Sequence, residues 1–255
     1  MKVFILCGGF GTRLDHEGKL KAKPMVKIGN SPILMHIIQN FVSQNFNEFV
    51  FCLGHKSESI INYFKKEKSQ FTKIIIDKKN FIKFRYKDKK FSFIGNLIFT
   101  GINTGTGGRI KASYKKLKLN EDILMTYGDG LSNVNVKNLV KFHKKKKSQV
   151  TLTAVRPKQR YGVLKINNNK VKYFDNSNKK SDVYINGGFF VISKDAIKKI
   201  KDRKTYWEKE PLSYFLKEKK LFAFKHEGFW KSLDTLKDKN DFNEIIKKGK
   251  RPWLI

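Results

Sequence analysis

A wholly apolar run at residues 3–6 leads straight into glycines, short apolar runs then alternate with amphipathic segments, and another apolar run at 123–126 leads to an aspartate. Together these predict an α/β fold: a Rossmann-like, mostly parallel sheet with helices on both faces and a projecting β-hairpin. Val3, Phe4, Ile5 and Leu6 lack the polar alternation of a half-solvated strand and suit a central strand covered on both sides. Residues 32–45 carry Ile33, Leu34, Ile37, Ile38 and Phe41 at the spacing of an amphipathic helix. Residues 49–53 read as the next strand, 57–66 as a helix with Ile60, Ile61 and Phe64 inward, and 72–76 as a further strand. That alternation implies parallel pairing through helical crossovers. Residues 81–99 break it: Phe84 and Tyr86, then Phe91 and Phe93, alternate around a polar tip at 87–90, the pattern of a hairpin. Its aromatic side chains require a cover, whether a neighbouring molecule or a local fold of the same chain.

At 255 residues the chain suits one core, and no long flexible stretch divides it, so a single domain over 1–255 is expected. No apolar stretch reaches the roughly 18 residues that span a bilayer, and the chain enters a strand at once, so no membrane association and a cytoplasmic location are expected. Cys7 and Cys52 lie in apolar runs and read as small buried hydrophobes rather than a disulfide or metal ligands.

The formal charge is +33, from 55 lysines and arginines against 22 acidic residues. Most of it is lysine, in lysine-rich stretches such as 87–90, 144–147 and 217–220, of which the first includes Asp88 and the last Glu218, alongside abundant Asn, Ile and Phe and scarce Pro. That composition follows from A/T-rich codons without any need for a polyanion partner. Neither a recognition helix nor arginine interleaved with aromatics is present, so a specific nucleic-acid partner is not expected. The charge would speed encounter with anionic substrates.

The chemistry gathers at Cys7-Gly8-Gly9-Phe10-Gly11-Thr12-Arg13-Leu14 and, shortly after, Lys21-Ala22-Lys23-Pro24-Met25. Glycines where a strand turns into a helix let backbone amides approach a phosphate closely. Arg13 and Lys23 add fixed positive charge, and the unit reads as a triphosphate site. Leu14 stands where a dinucleotide fingerprint needs a third small residue, and no Gly-Lys-Ser/Thr follows as a P-loop requires. A tight turn without ligand would account for the glycines, but not for the cations. Asp129, in Tyr127-Gly128-Asp129-Gly130, follows an apolar strand and so belongs at the carboxyl edge of the sheet, where such folds bind ligands.

The glycine-rich segment with Lys23-Pro24-Met25 resembles the signature of sugar-1-phosphate nucleotidylyltransferases. Tyr127-Gly128-Asp129-Gly130, Asn186-Gly187-Gly188-Phe189-Phe190, Trp207-Glu208-Lys209-Glu210-Pro211-Leu212 and Gly228-Phe229-Trp230-Lys231-Ser232-Leu233-Asp234-Thr235 are similar to the glucose-1-phosphate cytidylyltransferase branch. The likeness runs in order to Gly249-Lys250-Arg251-Pro252-Trp253 and covers essentially the whole chain. It implies transfer of a cytidylyl group from CTP to a sugar 1-phosphate, with glucose 1-phosphate the simplest acceptor, giving a CDP-sugar and pyrophosphate. It also implies Mg2+ as cofactor and a homo-oligomer packed through the hairpin.

Residue by residue, the resemblance assigns Leu6, Gly8, Gly9, Gly11, Thr12, Arg13, Lys23 and Arg109 to the nucleotide. It assigns Lys179, Asn186 and Trp230 to the sugar phosphate, and Asp129 and Asp234 to the metal. Arg13, Lys23 and Asp129 would carry the catalysis, and Glu208 would join Trp230 in lining the pocket. Plainer roles exist for several: Asp129 and Asn186 suit turns, Asp234 ahead of Thr235 suits a helix cap, and Arg109 suits a helix start. The chain departs from the pattern at Asn176-Ser177-Asn178, where relatives carry Glu-Lys-Pro and the glutamate takes hydrogen bonds from sugar hydroxyls, and at Ala22, where a proline is common. Alternatives to this reading are another base or phosphate acceptor, a catalytically silent binding or regulatory relative, and a basic polyanion-binding module.

Overall fold

The structure, a computed structural model, describes residues 1–9, 21–67, 71–158, 163–175 and 183–255. The strands, in chain order, begin with β1 (Val3–Cys7), β2 (Lys27–Ile28), β3 (Ser31–Pro32), β4 (Glu48–Leu53) and β5 (Thr72–Lys78). Next come β6 (Phe81–Lys87), β7 (Ser92–Phe99), β8 (Ile123–Tyr127), β9 (Gly130–Ser132) and β10 (Val150–Val155). The last are β11 (Val163–Asn167), β12 (Lys170–Asp175), β13 (Ile185–Ile192), β14 (Leu221–His226) and β15 (Trp230–Ser232).

Nine of them form one sheet in the order β14-β10-β13-β8-β1-β4-β7-β6-β5. Its centre, β8-β1-β4-β7, is parallel, and antiparallel pairs flank it on both sides. Successive side chains of β1 enter opposite cores: Val3, Ile5 and Cys7 pack with Phe41, Phe49 and Phe51, while Phe4 and Leu6 pack with Ile110, Phe190 and Trp207. This two-sided burial is why β1 is an unbroken apolar run. Cys7 and Cys52 are free and buried, as expected. Helices Ile33–Ser43, Ser57–Asn62 and Thr106–Lys116 fill the connections near the centre.

The stretch from 72 to 99 is arranged differently from the expectation. The hairpin forms, as β6 and β7, but it lies in the main sheet rather than clear of it, because β7 pairs in parallel with β4 from Ile94 to Phe99. The strand expected at 72–76 does not join the parallel centre. It is the antiparallel edge strand β5, paired with β6. The reason is local: short turns link β5 to β6 and β6 to β7, so the three form a meander. The hairpin's aromatic side chains are covered within the chain. Phe84, Tyr86 and Phe93 are buried, the Phe64 and Phe84 rings lie 4.7 Å apart, and Gly95, opposite Phe84, leaves room for its ring. Among the described residues no helix is long and apolar enough to cross a membrane.

Candidate active site

The carboxyl ends of β1, β4 and β7 meet at one guanidinium. Arg109, in the first turns of helix Thr106–Lys116, is 4% exposed and donates to the backbone oxygens of Gly8, Leu53, Gly101 and Ile102 and to the Thr100 hydroxyl, at 2.7–2.9 Å. Its partners among the described residues are neutral oxygens. Burial lowers its pKa, yet a guanidinium remains charged throughout the physiological range. A Cβ at Gly8 or at Gly54 would overlap this guanidinium, whereas one at Gly9 would meet no described residue within 4 Å. Gly8 is therefore glycine for internal packing, and Gly9 presents open backbone at the cleft. Arg109, expected on the nucleotide, is engaged by backbone and hydroxyl oxygens, the Gly8 carbonyl among them.

Asp129 and Asp234 stand 105 positions apart in sequence, and a two-stranded ladder joins them. β9 pairs antiparallel with β15, with Gly130 opposite Ser232, and the Leu233 amide donates to the Asp129 carbonyl at 2.8 Å. The helix cap after Asp234 is supplied by Thr235, whose hydroxyl accepts from the Asp238 amide in a capping box with the Asp238 carboxylate. The Asp234 carboxylate instead meets Lys23: Lys23 Nζ lies 2.7 Å from Asp129 Oδ2 and 2.8 Å from Asp234 Oδ1. Ser232 Oγ donates to the other Asp234 oxygen at 2.6 Å. Lys23 opens a short 3-10 turn, Lys23–Met25, whose Pro24 packs on Gly128 so closely that a Cβ there would lie 2.6 Å from the proline ring.

Burial alone would depress the Lys23 ammonium, but Asp129 and then Asp234 outweigh it and hold its pKa above the ordinary lysine value. The lysine's contribution to stability is therefore fully present below the unfolded lysine value of about 10.4 and is lost as pH rises through the higher folded one.

Around these charges lies a cleft of about 260 Å³, lined by Leu6, Cys7, Gly9, Lys23, Pro24, Thr106, Tyr127, Gly128, Asp129 and Asp234. Burial pushes Cys7 well above the usual thiol range and Cys52 up to about 12, so neither is a thiolate nucleophile at neutral pH. On the far side of Tyr127, Asn186 accepts from the Gly188 amide at 2.9 Å, and Trp230 Nε1 donates to the Gly187 carbonyl at 2.8 Å. Gly188 has φ +81°, which a side chain would strain. A larger groove of about 1000 Å³ lies between the hairpin tip and helix Leu236–Lys247, away from the paired carboxylates.

The structure thus brings together Leu6, Gly9, Lys23, Asp129 and Asp234, with Gly8 and Arg109 directly behind. The roles expected for Gly11, Thr12, Arg13 and Lys179 lie outside the described residues, as does the departure at Asn176, Ser177 and Asn178. Sequence reasoning did not single out Thr106 or Pro24 as lining the cleft. Thr106 follows Gly105 at a helix start, the one signal that could have found it.

Residues 2–248 match the nucleotidyl transferase family. The chain belongs to this family. It is 38% identical to the glucose-1-phosphate cytidylyltransferase of Salmonella typhimurium over 254 residues, 99% of this chain and 98% of that one. Over 256 residues, the whole of both chains, it is 34% identical to a Bacillus subtilis protein named a probable glucose-1-phosphate cytidylyltransferase. Among solved structures, HddC from Yersinia pseudotuberculosis has the same fold, with a TM-score of 0.70 at 22% identity over 96% of this chain and 99% of that one. For a nucleotidyltransferase, positive charge and converging carboxylates at the carboxyl edge of a parallel sheet are the parts that handling a triphosphate needs.

Proposed function

We propose that this nucleotidyltransferase transfers a cytidylyl group from CTP to a sugar 1-phosphate, glucose 1-phosphate first among them, and releases pyrophosphate. The observation that carries the reading is the Lys23 ammonium between Asp129 and Asp234 beside the open backbone of Gly9. The full-length likeness to relatives named glucose-1-phosphate cytidylyltransferase supports the choice of base and sugar.

In the reaction an oxygen of the sugar phosphate attacks the α-phosphorus of CTP. The bond from that phosphorus to the α,β-bridging oxygen breaks, and its electron pair leaves with pyrophosphate. Negative charge accumulates on the reacting phosphates, so catalysis consists of positioning and charge neutralisation. Lys23 meets the α-phosphate and the departing pyrophosphate, the Gly9 backbone lets the phosphates approach, and Arg109 fixes the Gly8 carbonyl from below. The resemblance gives Arg13 the same task as Lys23.

Two carboxylates already converging on one cation suit Mg2+, which takes hard oxygens and completes its shell with phosphate and water. Asp129 and Asp234 would hold the ion, which would supply further neutralisation of the phosphates.

The hairpin's aromatic side chains are covered within the chain and do not themselves call for a neighbouring subunit. The edge strand β5, with Ile74 37% and Ile75 49% exposed, supports self-association instead, and sedimentation of the purified protein measures it. A reaction fed by CTP and sugar phosphates fits the cytoplasm.

The test is a pyrophosphate-release assay of the four ribonucleoside triphosphates and dTTP against a panel of sugar 1-phosphates. CTP is expected to give the highest kcat/KM. Preference for another nucleotide overturns the assignment of the base. Activity with CTP but not with glucose 1-phosphate favours the second reading, another sugar phosphate, which the departure at Asn176 supports. For that reading Asn176→Glu is expected to raise kcat/KM for glucose 1-phosphate about ten- to a hundredfold, the worth of one charge-assisted hydrogen bond. No gain would mean that the departure is neutral.

The two neighbouring glycines are expected to separate stability from binding. Gly8→Ala forces a Cβ into the Arg109 guanidinium and should cost about 1–3 kcal/mol in denaturant unfolding. Gly9 is exposed and no described residue lies within 4 Å of the added Cβ, so Gly9→Ala should unfold within about 0.5 kcal/mol of wild type while raising KM for CTP.

A further inference from the structure

Glu208 is an acidic residue in a chain with a 55 to 22 excess of basic over acidic residues, yet among the described residues no lysine or arginine forms an ion pair with it. Its carboxylate is held instead by two neutral hydroxyls, both from the lining of the cleft. Tyr127 Oη donates to Oε1 at 2.5 Å, and Thr106 Oγ1 donates to Oε2 at 2.6 Å.

Those donors are themselves fixed. Thr106 Oγ1 also accepts from the Trp207 amide at 2.8 Å, and the Trp207 indole is fully buried between Phe190 and Phe215. The Tyr127 ring stands edge-on to Phe190. The backbone that carries Glu208 is thus pinned by a core tryptophan, and both carboxylate oxygens are oriented from the cleft side. A carboxylate offers about four acceptor positions, and two are filled here. The remaining two lie on an exposed group at the cleft rim. They match a pair of neighbouring hydroxyls. The other carboxylates of the cleft, Asp129 and Asp234, are engaged with Lys23.

We propose that Glu208, oriented by Tyr127 and Thr106, accepts hydrogen bonds from a vicinal pair of hydroxyls on a bound substrate and so selects for the hydroxylated ligand over its deoxy analogue. The inference rests on the reading that the cleft takes a nucleotide and a sugar phosphate, both of which carry such a pair. Tyr127 and Thr106 are positioning residues, and Glu208 is the binding group.

The experiment is calorimetric titration of the whole protein, wild type and Glu208→Gln, which needs no turnover. One arm uses CTP and 2′,3′-dideoxy-CTP. The other uses glucose 1-phosphate and its 2-deoxy and 3-deoxy analogues, with α,β-methylene-CTP present. Glu208→Gln is expected to weaken one of the two natural ligands about ten- to a hundredfold and to shrink, by a similar factor, the preference over its deoxy analogues. The arm that responds identifies ribose or pyranose as the source of the hydroxyls. Glu208→Asp, which keeps the charge but withdraws it by one methylene, should fall between the two and makes the same comparison if the glutamine variant fails to fold. Affinities within twofold of wild type in both arms, or weaker binding with the deoxy preference intact, overturn the proposal. Turnover of CTP and glucose 1-phosphate by wild type is measured in parallel. Its absence would count against the proposed function, while the binding comparison would still decide the role of Glu208.

Discussion

Asp129→Asn and Asp234→Asn are each expected to lower turnover by on the order of 10²–10⁴-fold with the fold intact. An amide keeps the shape of the side chain and loses the charge that holds a divalent ion, and several kcal/mol of transition-state stabilisation go with it. The fold survives because the β9–β15 ladder and the Thr235 capping box position both residues through the backbone. Each variant also leaves Lys23 one carboxylate partner. The two substitutions should be far from additive, since either one breaks the same pair. Steady-state assays across a magnesium titration, with circular dichroism as the check on folding, make the measurement. Near-normal turnover in either variant would remove that residue from the metal site.

Lys23→Ala is expected to slow the chemical step by about 10²–10³-fold and to weaken CTP binding much less. The charge that Lys23 meets is greater in the transition state than in the ground state, so its loss falls mainly on the rate. Single-turnover kinetics at saturating CTP separate the two effects, and an unchanged chemical rate with only weaker binding would reduce Lys23 to a tether. A second consequence has the opposite sign. The ammonium pairs with both carboxylates and offsets one of their two negative charges, so a divalent ion competes with it for them. Without the lysine, Mn2+ should bind in the absence of nucleotide roughly tenfold more tightly, even as turnover falls. Metal affinity that is unchanged or weaker would contradict the view that Lys23 and the metal compete for Asp129 and Asp234.

Much of this site was legible because its parts sit next to elements with strong local signals. β1 is an apolar run whose end marks the loop, β8 likewise delivers Asp129, and helix Ile33–Ser43 follows its periodicity. The sheet edge was less legible. Alternation identifies a strand but not its neighbour, so nothing local distinguished a hairpin standing apart from β6 and β7 continuing the sheet beyond β4. Arg109 shows the same limit for a side chain. The resemblance assigns it to the nucleotide and its position suits a helix start, and only the three-dimensional meeting of the ends of β1, β4 and β7 supplies the five neutral oxygens around it. The glycines at positions 8 and 54, one just after each of two neighbouring strands, are the trace that packing left in the sequence. The ion triad joins residues 23, 129 and 234, a juxtaposition made by the β9–β15 ladder and by Pro24 on Gly128, neither of which has a periodic signature.

The decisive measurement is a phosphorus NMR time course of the purified protein with CTP, glucose 1-phosphate and MgCl2. The expected result is the joint loss of both substrates' resonances and the appearance of CDP-glucose and pyrophosphate in equal amounts, with no change when either substrate is omitted. An unchanged spectrum under conditions where another nucleoside triphosphate is consumed, or CTP cleaved to CMP and pyrophosphate without a sugar nucleotide, would contradict cytidylyl transfer to glucose 1-phosphate.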